Sequence, residues 1–277
     1  PDEAVRSALL RVRGTYGLAV IFAREPRTLI AARNFSPLLI GIGKNEYFVA
    51  SDASAVLRHT KQVIYLDDGE IAVMTPEGHR VFDKGRNVQE KISHEIEWSL
   101  EEVQKGGHPH FMLKEILEEP DAITNTIRGR LIPHEGLAKL GGLTEVADRL
   151  KTAHRMIISA CGTAYLAGRV GEYALEEYAG IPVEVDLASE FRYRKPVFDA
   201  GSVFCAISQS GETADTRASL REAKEKGVLT LGIVNVVGST IARETDAGVY
   251  QHIGPEIGVA STKAFTSQVA ILTLLAL

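Results

Sequence analysis

The chain has 277 residues, enough for one or two domains, and 45% of them are hydrophobic, an ordinary share for a globular protein. A formal net charge of −5 provides no basic field for nucleic acid or for an anionic membrane surface. Cys161 and Cys205 are the only cysteines; they make no disulfide framework and fit a reducing, cytoplasmic setting, and the most apolar segment, 269–277, is far shorter than a bilayer span.

From the N-terminus, Val5, Leu9 and Val12 recur at helical spacing. Short β-rich runs follow at 16–23, 28–33, 38–43, 46–50, 62–66, 70–74 and 79–82. The separators Glu25-Pro26, Lys44-Asn45, Asp67-Asp68-Gly69 and Pro76-Glu77-Gly78 are turn chemistry, and this spacing predicts antiparallel hairpins. Residues 1–84 therefore read as a β-rich first domain with one helix. Residues 85–110, charged and carrying Gly106-Gly107 and Pro109, read as a linker.

Residues 111–277 read as a second domain. A helical stretch over 111–131 is interrupted near Pro120, 132–143 is irregular, and 144–152 is a short helix. Strands then alternate with helices. The strands are 155–160, 182–187, 203–208, 229–235 and 248–253; the helices are 163–179, the charged segment up to Lys226, 240–244 and 262–277, with a loop through 191–194. That alternation predicts an α/β/α sandwich around a parallel sheet, buried on both faces because its strands are polar on neither. The chain begins at Pro1 without Met and stops at Leu277 inside an apolar helix with no capping residue, so it reads as a piece of a longer polypeptide.

In such a sheet, right-handed crossovers carry every strand-to-helix loop to one edge, where ligands bind. Three of those loops are rich in glycine and hydroxyls: Cys161-Gly162-Thr163-Ala164, Ser208-Gln209-Ser210-Gly211-Glu212-Thr213 and Val259-Ala260-Ser261-Thr262-Lys263. A helix N-terminus offers unpaired N–H groups and a partial positive charge, hence an anion site without any basic side chain. Neutral donors around one point suit a phosphate monoester. No Walker pattern and no strand-following dinucleotide fingerprint occur. Serine and threonine also cap helices without binding anything; it is the convergence of three such loops that favours a ligand. Glu212 reads as a favourable charge at a helix start, Cys161 and Cys205 as small buried hydrophobes, and His108-Pro109-His110 has no second ligand pair for a metal.

The strings Cys161-Gly162-Thr163, Ala188-Ser189-Glu190-Phe191-Arg192-Tyr193-Arg194, Ser208-Gln209-Ser210-Gly211-Glu212-Thr213-Ala214-Asp215-Thr216 and Glu256-Ile257-Gly258-Val259-Ala260-Ser261-Thr262-Lys263-Ala264-Phe265-Thr266 resemble the glutamine–fructose-6-phosphate aminotransferases, or glucosamine-6-phosphate synthases. The second half is similar to their first sugar-isomerase (SIS) domain, a flavodoxin-like sandwich. The first half, including Arg13-Gly14-Thr15-Tyr16-Gly17 and Phe48-Val49-Ala50-Ser51-Asp52, is similar to the later part of their N-terminal-nucleophile glutaminase domain. The resemblance implies a cytoplasmic homodimer that takes ammonia from glutamine and converts fructose 6-phosphate to glucosamine 6-phosphate without metal or organic cofactor, nucleic acid or membrane. It implies that Ser208, Gln209, Ser210 and Thr213 hold the sugar phosphate and that Thr163, Val259, Ala260 and Ser261 contact the sugar. Ala164 stands where the family frequently has serine. The N-terminal cysteine nucleophile and the second SIS domain, which carries the imine-forming lysine and the acid–base residues in the family, fall outside these residues. Lys263 is not that lysine, no catalytic residue is assigned, and this polypeptide alone is expected to be inactive. The rival reading, a non-catalytic SIS-type regulator, would bring a DNA-binding helix-turn-helix, and none is evident; a stand-alone SIS isomerase would lack the β-rich first half.

Overall fold

A computed structural model describes all 277 residues. The chain divides into two compact units, Pro1–Val103 and Gln104–Leu277. No helix is long and apolar enough to cross a membrane.

The first unit opens with helix α1 (Asp2–Leu9). Seven strands follow: β1 (Tyr16–Phe22), β2 (Glu25–Asn34), β3 (Leu39–Ile42), β4 (Tyr47–Ala50), β5 (Gln62–Tyr65), β6 (Ile71–Thr75) and β7 (Gly78–Phe82), with the short β8 (His94–Glu95) after them. They form two antiparallel sheets, ordered β1-β2-β6-β7 and β4-β3-β5-β8. Alternation along β2 shows how the layers are built. Ala31 joins Ile40, Ile64 and Met74 in a core made by residues of both sheets, while Ile30 and Ala32 turn the other way onto Val5 and Leu9 of α1. The expected linker begins too early. Residues 85–103 fold into this unit, because His94–Glu95 pairs with β5 and Ile96 enters a core with Leu39, Val56 and Val63.

The second unit begins with α2 (Phe111–Leu117) and α3 (Glu119–Ile127), broken where Pro120 occupies the first turn of α3. The stretch expected to be irregular holds a small hairpin, β9 (Leu131–Ile132) and β10 (Leu137–Ala138), then a 3-10 turn leading into α4 (Ala147–Lys151). The alternating region supplies β11 (Arg155–Ala160), α5 (Gly162–Ala174, extended by a π-helical turn to Ala179), β12 (Val183–Leu187), α6 (Ala188–Phe191), β13 (Ser202–Ser208), α7 (Ala214–Glu225), β14 (Leu229–Val234), α8 (Thr240–Glu244), β15 (Ala247–Tyr250) and α9 (Lys263–Ala276). The chain expected to loop through 191–194 first makes the single turn α6, which buries Phe191 between Phe198 and Phe204.

The five strands are parallel in the order β12-β11-β13-β14-β15. Every residue of β13 and β14 is buried, as strands covered on both faces must be. Met156, Ile158, Cys205, Ile207 and Leu231 face one core with Ile271 and Leu272 of α9; Ile157, Phe204, Ala206 and Val234 face the other with Leu220 of α7 and Ile241 of α8. The fold is the expected α/β/α sandwich. The chain leaves β11 toward β12 and returns past it to β13, so the direction of winding reverses between β11 and β13. The connections from the carboxyl ends of those two strands therefore part, α5 to one face of the sheet and α7 to the other, and leave a crevice between them.

Candidate functional site

The crevice contains a cavity of about 200 Å³ lined by Cys161, Thr163, Ala164, Ile207, Ser208, Gln209, Ser210, Thr213, Glu256, Gly258, Val259, Ser261 and Gln268. The structure thus brings together the expected residues Thr163, Ser208, Gln209, Ser210, Thr213, Val259 and Ser261. Ala260 is not part of the lining. Cys161 departs from the expected buried hydrophobe: it is only partly buried and borders the cavity, and burial pushes its thiol pKa up. Cys205 behaves as expected, fully buried in the β13 core, with its pKa pushed up to about 12.

The 208–213 turn is tied by its own hydroxyls. Ser208 Oγ and Thr213 Oγ1 are 2.8 Å apart, and Ser208 Oγ accepts the Gly211 N–H at 3.1 Å. Ser210 Oγ accepts the Glu212 N–H at 3.2 Å, which leaves the Ser210 hydroxyl proton free to donate. One proton of the Ser208–Thr213 pair is likewise free, since two hydroxyls sharing one hydrogen bond use only one. Backbone bonds fasten the turn to the next loop: Asn235 N–H donates to Gln209 O, and Ile241 N–H to Gly211 O, both at 3.0 Å. Gly211 has φ +67° and lies so close to Ser239 that a Cβ there would collide with its side chain. Only glycine meets both demands.

Glu212 does not act on its own helix. Its carboxylate accepts the Thr240 N–H at 2.7 Å and the Thr240 hydroxyl, so it caps α8 and turns away from the cavity. Helix α7 is left with no side-chain cap at Thr213, and α5 with none at Cys161. Thus two helices start at the cavity with their first N–H groups uncovered by side chains. Both macrodipoles favour negative charge at that point.

The 256–262 loop is held differently. Glu256 accepts the Thr262 N–H at 2.9 Å and the Ala264 N–H at 3.2 Å, covering the start of α9, and takes the Ser261 hydroxyl at 2.7 Å. Glu115 of α2, which is 2% exposed, accepts the N–H groups of Ile257 and Gly258 at 2.7 and 3.0 Å. Lys263 Nζ is 2.7 Å from Glu118, at the junction of α2 and α3, and is not among the cavity residues. The loop lifts the Val259 side chain fully into the open. Sequence reading missed Glu256 and Gln268. A carboxylate lying six and eight residues before the N–H groups it covers does not have the spacing of a capping box, and Gln268 sits mid-helix with no local signal.

Residues 149–277 match the SIS domain family. Over these residues the chain is similar to SIS domains. Over its full length the chain is 54% identical to the glutamine–fructose-6-phosphate aminotransferase (isomerizing) of Chlorobaculum tepidum across 276 residues, covering 100% of this chain and 45% of the relative. The corresponding protein of Bacteroides thetaiotaomicron is 48% identical over 275 residues, 99% of this chain and 45% of its own. The chain therefore spans about 45% of the length of the curated relatives it matches. Among solved structures, the C-terminal domain of glucosamine-fructose-6-phosphate aminotransferase from Francisella tularensis superposes with a TM-score of 0.58 at 42% identity, over 62% of this chain and 48% of that one. The resemblance carried by the quoted strings thus holds along the whole sequence.

Proposed function

We propose that the SIS domain binds fructose 6-phosphate and glucosamine 6-phosphate in this cavity, as one sugar-phosphate half-site of a cytoplasmic, homodimeric, glutamine-dependent aminotransferase that isomerises the sugar as it aminates it. The observation that carries the reading is the pair of uncapped helix starts, α5 and α7, meeting with the free hydroxyls of the 208–213 turn in one cavity. The phosphate goes to Ser208, Gln209, Ser210 and Thr213. It avoids the 256–262 loop, where carboxylates already take the N–H groups of Ile257, Gly258 and Thr262 and where Glu256 would repel an anion. The sugar then extends toward Thr163, Val259 and Ser261. In this reading ammonia released from glutamine supplies the amino group, and the first unit, Pro1–Val103, is the later part of the domain that releases it.

The cavity is lined by donors, acceptors and one carboxylate, without an imine-forming lysine, because Lys263 is buried against Glu118. The purified chain is therefore expected to bind but not to turn over. Calorimetric titration should show fructose 6-phosphate binding and no binding of fructose, and incubation with fructose 6-phosphate and glutamine should yield no glucosamine 6-phosphate. Equal affinity for fructose and its phosphate, or detectable product, contradicts the reading.

A further inference from the structure

Gln268 lies in the second turn of α9, is 1% exposed and forms part of the cavity lining. Its Oε1 is buried without a hydrogen-bond partner. A carboxamide oxygen that has given up water and gained no donor is costly, and folded proteins keep few of them. Its neighbours are served: Ser267 Oγ is 2.8 Å from Thr126 Oγ1, and Thr266 Oγ1 donates to Lys263 O. The hydroxyl of Ser261 is already committed to Glu256. What the Gln268 carboxamide oxygen lacks is a donor, and the residue that carries it is part of the cavity lining. A phosphate ester dianion offers only acceptors at its phosphate, so that end of the ligand cannot supply it. A sugar hydroxyl can.

The geometry points to Gln268 as a specificity-determining residue: its carboxamide oxygen accepts a hydroxyl of the sugar, so the site favours a hydroxylated phosphate ester over a bare oxyanion. The inference rests on the sugar-phosphate reading of the cavity. It divides recognition between two elements, charge at the 208–213 turn and hydroxyl at α9. Selectivity of this kind is strong where a buried polar group would otherwise stay unpaired.

The test follows thermal unfolding of the wild-type chain, Gln268→Met and Gln268→Asn against glucosamine 6-phosphate and, separately, against sulfate, an oxyanion with no proton to donate. Both ligands should raise the wild-type midpoint. Gln268→Met should need about ten times more glucosamine 6-phosphate for the same rise and respond to sulfate as the wild type does. Gln268→Asn keeps the amide but withdraws it by one methylene. It should show the same selective loss, and it carries the test should Gln268→Met fail to fold. A folded variant that responds normally to glucosamine 6-phosphate, or loses both responses in parallel, overturns the role of Gln268 and leaves the site standing. A wild type that responds to sulfate alone, or to neither ligand, overturns the sugar-phosphate reading and this inference with it.

Discussion

The 208–213 turn and the 256–262 loop both feed a helix of the second unit, yet the first leaves α7 uncapped and the second covers the start of α9 with the Glu256 carboxylate. The first is tied by neutral hydroxyls and one glycine; the second is pinned by carboxylates from its own loop and from α2. An anion is drawn to a helix start whose N–H groups no carboxylate has already taken, and Asp215, in the first turn of α7, is paired with Arg192 instead. Two loops of similar composition can therefore take opposite roles, one gripping charge and the other shaping the space beside it.

The largest way to break that contrast is through the backbone of the first turn. Gly211→Ala would force a side chain into the left-handed region and into Ser239, and should lower stability by about 3 kcal/mol, read from the denaturant midpoint at unchanged slope. A loss under about 1 kcal/mol would mean that the turn yields easily. Next comes Glu256→Gln, which keeps the shape but removes the charge that caps α9. It should cost about 1 kcal/mol of stability while leaving affinity for phosphate esters unweakened. A marked fall in that affinity would place the anion at the wrong loop. Ala164→Ser adds a hydroxyl beside the α5 start, within the cavity lining. It should tighten glucosamine 6-phosphate binding by about 1 kcal/mol, or roughly fivefold in calorimetric titration; weaker binding would mean that Ala164 is there to leave room.

The smallest effect lies away from the cavity. Burial alone would push the Glu184 carboxyl pKa up, but hydrogen bonds and charge from Arg194 and Arg155 hold it below its ordinary 4.5. A lowered folded pKa means that the stabilisation is present above the ordinary value and is lost as pH falls through the folded one. Glu184→Gln should cost about 0.5 kcal/mol near neutral pH, the scale of a partly exposed ion pair, and the difference from wild type should vanish in acid. A difference that is constant with pH would mean that the pair contributes through packing alone.

The sequence made the parallel sheet plain because β13 and β14, buried on both faces, are almost uninterrupted apolar runs. The three loops were legible for the same reason, since each hydroxyl-rich string follows or precedes such a run. Elements too short to have a period escaped: α6 is one turn beside the charged stretch Arg192-Tyr193-Arg194, and β8 is two residues whose pairing to β5 is decided by distant chain. The functions of Glu212, Glu256 and Gln268 escaped because each is set by a partner, or by the lack of one, across the fold. Glu212 reads locally as an acidic residue at the start of α7 and in fact caps α8. Nothing in the residues around Gln268 announces a buried oxygen with no donor.

The most direct test of an anion site made from uncapped helix starts is the thermal midpoint of the wild-type chain and of Ser210→Ala, each titrated with glucosamine 6-phosphate. An anion site of this kind should stabilise the wild type and move the Ser210→Ala curve to about fivefold higher concentration, one neutral donor having been removed. Identical curves for the two proteins, or no response in either, would contradict it.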